Sequence, residues 1–215
     1  MSQGTGKANQ TRGQGLARLV PTQKRSKERF ERILDCASEI IMEKGSDAFR
    51  MSDIVERSGI GFGSLYQYFP DKTAVIGTIA ERHHEMGYVE VAGHMAKVEC
   101  MTDFYEALCQ IADGYYQFFS DHTMMGEVWK ATQVDRGLQA LNQEANDRLA
   151  ALLTDKLQSL APEHPNQALL SFSKTMLILI AAAVRHAIAL PPKEARNVLD
   201  MFKQMLPKDL SLLDA

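Results

Sequence analysis

The sequence predicts an all-α fold in which a short helical headpiece precedes a larger helical domain. Apolar residues recur at i, i+3, i+4 and i+7 through most of the chain, the spacing of a helix with one buried face. No alternating β-branched run bounded by turn residues competes with that pattern. The breaks between periodic stretches fall at Gly45, Gly59, Pro70, Pro162, Pro165 and Pro191-Pro192, which are residues that end helices.

Residues 1–24 form a basic tail. Met1 to Thr22 holds four glycines, few apolar residues and Lys7, Arg12 and Arg18, a composition that reads as disordered. Two roles fit it: an arm that tracks a DNA minor groove, or a mobile tail with no role. Ser26 is positioned to cap the first helix. The stripe of that helix is Phe30, Ile33, Leu34, Ala37, Ile40 and Ile41, and Lys44-Gly45 closes it. Then comes Met51 to Lys72, around which the rest of the chain is organised. Ile54 and Val55 lie in a short segment stopped by Gly59. A second short segment carries Phe62, Leu65, Tyr66 and Phe69 at helical spacing, and Pro70-Asp71 breaks it. Two short helices joined by a glycine turn form the pattern of a helix-turn-helix, whose second helix enters the major groove. The opposite face of the second segment carries Gly63, Ser64, Gln67 and Tyr68.

These residues carry a resemblance. Ile54-Val55, Gly59-Ile60, Gly63-Ser64-Leu65-Tyr66, Tyr68-Phe69 and Asp71-Lys72 resemble the N-terminal signature of TetR-type transcriptional regulators, closely from Arg29 to Met86 and beyond that only in length and helical character. Two positions depart from the family pattern. Arg50 stands where a Thr or Ser commonly caps the first short helix, and Gly61 where a Ser commonly caps the recognition helix. The resemblance implies DNA-contact roles for Phe62, Gly63, Ser64, Tyr66, Gln67, Tyr68 and Lys72, with Arg50 and Ser52 in the same interface. By chemistry, Tyr68 and Lys72 suit phosphates and Ser64 and Gln67 suit base edges. Phe62 suits a thymine methyl, and Gly63 permits close approach. For Tyr66 the alternative is packing beside Leu65.

Residues 25–72 are thus the expected DNA-binding headpiece, 73–97 a connecting helix and 98–215 an effector-binding and dimerisation domain. The later helices are expected at about 103–120, 122–132, 135–160, 164–190 and 193–206. Soft and aromatic residues are dense in this half. Phe104, Tyr115, Phe119, Met125, Trp129, Phe172 and Met176 are candidate effector contacts, with Met124, Met125 and Trp129 at helical spacing on one wall and most of the others equally suited to plain core. An effector cavity in this half is what the resemblance implies. From Met176 to Val184 the chain is apolar nearly all round, so that helix must be buried on every face, and a partner subunit is the candidate for one of them. A homodimer through residues 164–206 follows, completed by Val198, Leu199, Phe202, Met205 and Leu206. Arg185 is either paired across that interface or an anion anchor in the cavity.

Composition bounds the alternatives. The chain has 215 residues, 45% hydrophobic and 24% charged, as in ordinary globular proteins. The net charge of −3 is unevenly spread: residues 1–32 carry a balance of +6 and residues 73–215 one of −6. A basic front and an acidic back are expected where only the front meets phosphates. Cys36, Cys100 and Cys109 match no zinc spacing. Cys36 reads as a small buried hydrophobe, and Cys100 with Cys109 is a candidate redox pair. His83 and His84 are adjacent and point about 100° apart on a helix, so no metal site is expected, and nothing calls for a cofactor. Residues 1–20 lack the apolar run of a signal peptide, and the apolar run from Met176 to Val184 is too short for a membrane span. A cytoplasmic protein with no membrane contact is expected.

The reading is a homodimeric DNA-binding regulator, a repressor by family habit, that recognises double-stranded DNA at a palindromic operator and answers a small, largely apolar effector. Two other classes compete. An all-helical enzyme is disfavoured because no nucleophile elbow, phosphate-binding loop or HExxH is present. An architectural DNA-binding protein would not need the large second half.

Overall fold

The computed structural model describes residues 21–214; the expectations for the tail up to residue 20 lie outside the described residues. Regular structure among the described residues is helical: α1 (Lys24–Ala48), α2 (Met51–Ser58), α3 (Phe62–Tyr68), α4 (Lys72–Met95), α5 (Met101–Asp121), α6 (Met124–Val134), α7 (Arg136–Leu160), α8 (Asn166–Ile188) and α9 (Pro192–Met205), then a single 3-10 turn at Ser211–Leu213. The all-α expectation holds, with helix ends within a few residues of those expected.

The chain divides into two compact units. One takes in the chain up to Arg82 together with Met124–Leu141, the other His83–Thr123 with the chain from Asn142 onward. This corrects the expected boundaries in two ways. The division falls inside α4, and Met124–Leu141 belongs with the headpiece.

In the first unit the α1 stripe Phe30, Ile33, Leu34, Ala37, Ile40 and Ile41 is buried as the periodicity requires. Each of the larger side chains contributes roughly 2 kcal/mol when fully buried, and Ala37 less. Ile54 of α2, Leu65 of α3, Ala74, Val75, Ile76 and Ile79 of α4, and Met125, Val128 and Ala131 of α6 close the same core. Helix α6 packs on α1, which is why it joins this unit. Two polar contacts hold it there: the Ser46 N–H donates to Glu127 Oε2 at 3.4 Å and Thr73 Oγ1 to Asp135 Oδ2 at 3.1 Å. The start of α1 differs from expectation. Gln23 occupies the N-cap without a side-chain bond, because the Ser26 hydroxyl is engaged with Tyr68 Oη at 2.7 Å. Near its end Gly45 takes φ 81° and ψ 161°, and the chain continues as one further turn to Ala48.

In the second unit α8 packs against α5 and α9. Its inward face is Leu169, Phe172, Ser173, Met176, Ile180, Val184 and Ala187. The polar member is satisfied: Ser173 Oγ donates to the Leu169 carbonyl at 2.9 Å and accepts from Thr154 Oγ1 at 3.1 Å. Within one chain this helix is not buried all round: Ile178 is 63% exposed and Leu179 44%, on the side for which a partner subunit is the expected cover. An 18-residue window of α8 reaches a mean hydropathy of 1.7, the length and composition of a spanning segment that the shorter run between Met176 and Val184 conceals. Its inward face is nonetheless core of a helical unit.

The three cysteines are free thiols. Cys100 caps α5 and Cys109 lies along that same helix, so their separation of about 13 Å by helical rise exceeds the ~7 Å reach of a disulfide. The candidate redox pair is therefore not a bridge within one chain. Cys36 is half-buried, and burial pushes its thiol up, with Glu39 adding to the effect.

The conformation at Gly45 is nearly exclusive to glycine, and an added Cβ would also lie 3.1 Å from Glu127 Oε2. Gly45→Ala is expected to destabilise the protein by about 1–3 kcal/mol, read as a lowered urea midpoint at unchanged slope. An unchanged midpoint would contradict this backbone geometry.

Candidate nucleic-acid interface and interior cavity

The first unit presents α3 through the way α2 and α3 are fixed. Asp53 secures the start of α2. Its Oδ2 accepts the Arg50 N–H at 3.0 Å and its Oδ1 accepts Lys44 Nζ at 3.1 Å. Burial pushes the Asp53 carboxyl up, but these two donors outweigh it and hold it below its ordinary range. Gly59 ends α2 in the left-handed region at φ 68° and returns its N–H to the Val55 carbonyl. Gly61 then caps α3 without a side-chain bond, so this helix start depends on backbone turns and packing.

Seven residues make α3, and its inward face is Leu65 and Tyr68, followed by buried Phe69. Phe69 stacks on Phe30 with ring centroids 4.9 Å apart, and Tyr68 meets Phe30 edge-on at 5.9 Å. The positions read for two tyrosines are thereby reversed. Tyr68, placed on the outward polar face, is 5% exposed, while Tyr66, placed with Leu65, is 49% exposed. Phe62 is equally exposed, and the Phe62 and Tyr66 rings stack at 6.2 Å on the outer face. Tyr68 sits inward because its hydroxyl finds Ser26, which lets an amphipathic ring be buried without an unpaired polar atom.

The outward face of α3 therefore offers Phe62, Gly63, Tyr66 and Gln67, with Ser64 half-buried at its edge. Arg50, Ser52, Phe62, Tyr66 and Lys72 line one open groove of about 500 Å³, together with Asp47 and Asp71. Lys72 Nζ donates to the Asp47 carbonyl at 3.3 Å and remains exposed. Of the nine residues expected at this interface, Tyr68 alone is buried. One neighbour was not expected. Arg29 of α1 reaches Ser64 Oγ at 3.5 Å, and it follows Lys24, Arg25 and Lys27 on the exposed first turns of α1. That charge run was visible in the sequence, but its position beside α3 was not.

The second unit encloses a cavity of about 240 Å³. Its walls come from α4 (His83, His84, Gly87, Glu90), α5 (Ile111, Tyr115, Phe118), α7 (Asn142, Asn146, Leu149) and α8 (Leu177, Ile180, Ala181). Among the expected effector contacts, Tyr115 lines it. Phe104, Phe172 and Met176 are buried in the unit's core instead, and Phe119 is buried with its ring edge-on to Tyr115 and Phe118. Met125 and Trp129 belong to α6 in the first unit, so they share no wall with this cavity. Arg185 is half-buried and does not line it, though its charge acts on the Tyr115 phenol.

The polar groups of the cavity are held uncharged where they are buried. Burial lowers the His84 imidazole from its ordinary range, the neighbouring His83 adds to this, and a hydrogen bond with the Asn142 side chain partly offsets both. Burial raises the Tyr115 phenol, which Arg185 only partly counters. The lining joins hydrogen-bonding side chains at His84, Tyr115, Asn142 and Asn146 to a largely apolar wall. The signal missed in the sequence is polar residues at helical spacing on otherwise ordinary faces: His83 with Glu90 at i, i+7 on α4, and Asn142 with Asn146 at i, i+4 on α7.

Two family models match the chain. "Bacterial regulatory proteins, tetR family" covers residues 33–79, and "Tetracyclin repressor-like, C-terminal domain" covers residues 102–213, just over half of the chain. The HTH-type transcriptional regulator YvdT of Bacillus subtilis is 45% identical over 58 residues, which span 27% of this chain and 30% of that protein. Among solved structures, a putative TetR-family transcriptional regulator from Syntrophomonas wolfei superposes with a TM-score of 0.65 at 18% identity, covering 83% of this chain and 95% of the other. The regulator FadR from Bacillus subtilis in complex with stearoyl-CoA superposes with a TM-score of 0.61 at 14% identity, covering 83% and 100%. At these identities the superpositions establish the shared fold.

Burial distinguishes the two tyrosines of α3 experimentally. Tyr68→Phe removes the bond to Ser26 and is expected to cost about 1 kcal/mol of stability, whereas Tyr66→Phe should change it by less than about 0.5 kcal/mol. Equal losses in thermal unfolding would contradict the assigned faces.

Proposed function

We propose that this chain, which belongs to the tetR family of bacterial regulatory proteins, is a homodimeric transcriptional repressor that leaves its operator when a small, largely apolar effector fills the cavity. The observation that carries this is the outward face of α3, where Phe62, Gly63, Tyr66 and Gln67 stand free on a helix whose other face is locked into a core. A helix so presented fits a major groove about 12 Å wide. Ser64 and Gln67 approach base edges, Phe62 and Tyr66 offer apolar contact to thymine methyls, and Arg50, Ser52 and Lys72 take phosphates. Tyr68 supports the interface from inside.

A second copy completes the reading. Ile178, Leu179 and Ala182 on α8, with Met201 and Met205 on α9, are exposed apolar side chains on two helices that pack together. Buried across a two-fold axis, they would set two copies of α3 against one palindromic site. Helix α4 belongs to both units, so an effector that binds one setting of α4 more tightly shifts DNA affinity. The acyl ligand bound to FadR supports ligand capture by this fold. The protein acts in the cytoplasm, and its role is binding without turnover.

Two variants test the proposal. Lys72→Ala should weaken binding to all DNA sequences alike and flatten the salt dependence by about one unit, measured by fluorescence anisotropy across salt concentrations. A change in sequence preference would assign Lys72 to base reading instead. Ala182→Asp would bury an unpaired charge at the seam, at a cost of several kcal/mol, and should give helical monomers by sedimentation equilibrium. Retained dimers would move the seam away from α8.

A further inference from the structure

We infer that the effector is a small lipophilic cation, held by Glu90 at the rim of the cavity; this rests on reading that cavity as the effector site. The wall carries one fixed charge, the Glu90 carboxylate, and neither a lysine nor an arginine among its lining residues. Glu90 makes no hydrogen bond or ion pair among the described residues. Its carboxylate lies along α5 in the space where a side chain at Gly114 would begin, so the absence of a side chain there gives the charge its place. Beside Gly114 on α5 stand Tyr115 and Phe118, both of which line the cavity. A carboxylate and two aromatic rings lining one cavity are the combination that recognises an alkyl- or arylammonium group, by ion pairing to the first and cation–π attraction to the others.

The remaining lining sharpens the class. His84, Tyr115, Asn142 and Asn146 supply neutral hydrogen-bonding groups, while Ile111, Leu149, Leu177, Ile180 and Ala181 supply an apolar wall. A carboxylic acid in this cavity would face Glu90 with no cation on the wall to receive it, and like charges brought together are disfavoured. Arg185, whose charge reaches Tyr115, stands off the wall. The volume of about 240 Å³ falls below the ~300–1,000 Å³ of typical ligand sites, which favours a compact molecule. Glu90 is itself solvent-exposed, so a bound ammonium keeps part of its hydration and the preference is expected to be moderate.

Matched probes test this on the full chain. Phenethylamine, phenethyl alcohol and hydrocinnamate, with their longer-chain homologues, share one apolar body and differ in the charge of the head. By isothermal titration the amines should bind about tenfold more tightly than the alcohols, and the acids more weakly than either. Glu90→Gln should erase the advantage of the amine and leave alcohol affinity unchanged. Gly114→Ala provides a variant that should fold readily, because alanine favours a helix interior; by displacing the carboxylate it should also reduce the amine's advantage. Acids that bind as tightly as amines, or an amine preference that survives Glu90→Gln, would overturn the inference while leaving the cavity as the effector site. If no member of the three series binds, the cavity is not the effector site and the reading beneath the inference fails with it.

Discussion

A helix of seven residues has no stability of its own in water, so α3 exists because α1 holds it. The holding contact is a small aromatic cluster, in which Phe69 stacks on Phe30, Tyr68 meets the same ring edge-on, and the Tyr68 hydroxyl closes on Ser26. Arg82 lies over that same Phe30 ring, with its guanidinium 5.7 Å from the centroid and a two-pronged ion pair to Glu31. The outward side of α3 pays nothing toward its own folding. That is why it can carry a glycine, a stacked aromatic pair and polar groups selected for another partner.

Much of this was legible in the chain. The α1 stripe, the glycine that ends α2 and the proline after α3 each act through local rules of periodicity and backbone freedom, and those rules need no tertiary information. The inward face of α3 was misread for a physical reason. In the run Phe62 to Phe69 every turn carries an aromatic, and tyrosine suits a core or a surface according to whether its hydroxyl finds a partner. The partner, Ser26, lies 42 residues away. The placement of α6 failed for the same reason: its apolar face reads equally well against either core, and the ties through Ser46 and Thr73 are long-range.

The cavity was harder still. Aromatic and methionine side chains mark where packing is dense, and Phe104, Phe172 and Met176 accordingly fill the core. A cavity is a place where packing stops, and its signature is a set of polar side chains at helical spacing on otherwise ordinary faces, here on α4 and α7. The same polar economy appears deeper in the unit. Thr154 and Ser173 are buried with their hydroxyl oxygens 3.1 Å apart, each also within hydrogen-bond reach of a carbonyl of its own helix, so α7 and α8 meet through satisfied groups.

The path of the backbone between the two units has a consequence for engineering. The chain passes from one unit to the other within α4, again between Thr123 and Met124, and again within α7. The headpiece is therefore not a cassette that ends at a linker. A chimera that grafts residues up to Arg82 onto a foreign sensor would leave behind Met125, Val128 and Ala131, and with them the apolar cover of α1. Transplanting this reading head intact requires two separate pieces of chain, the second carrying Met124–Leu141.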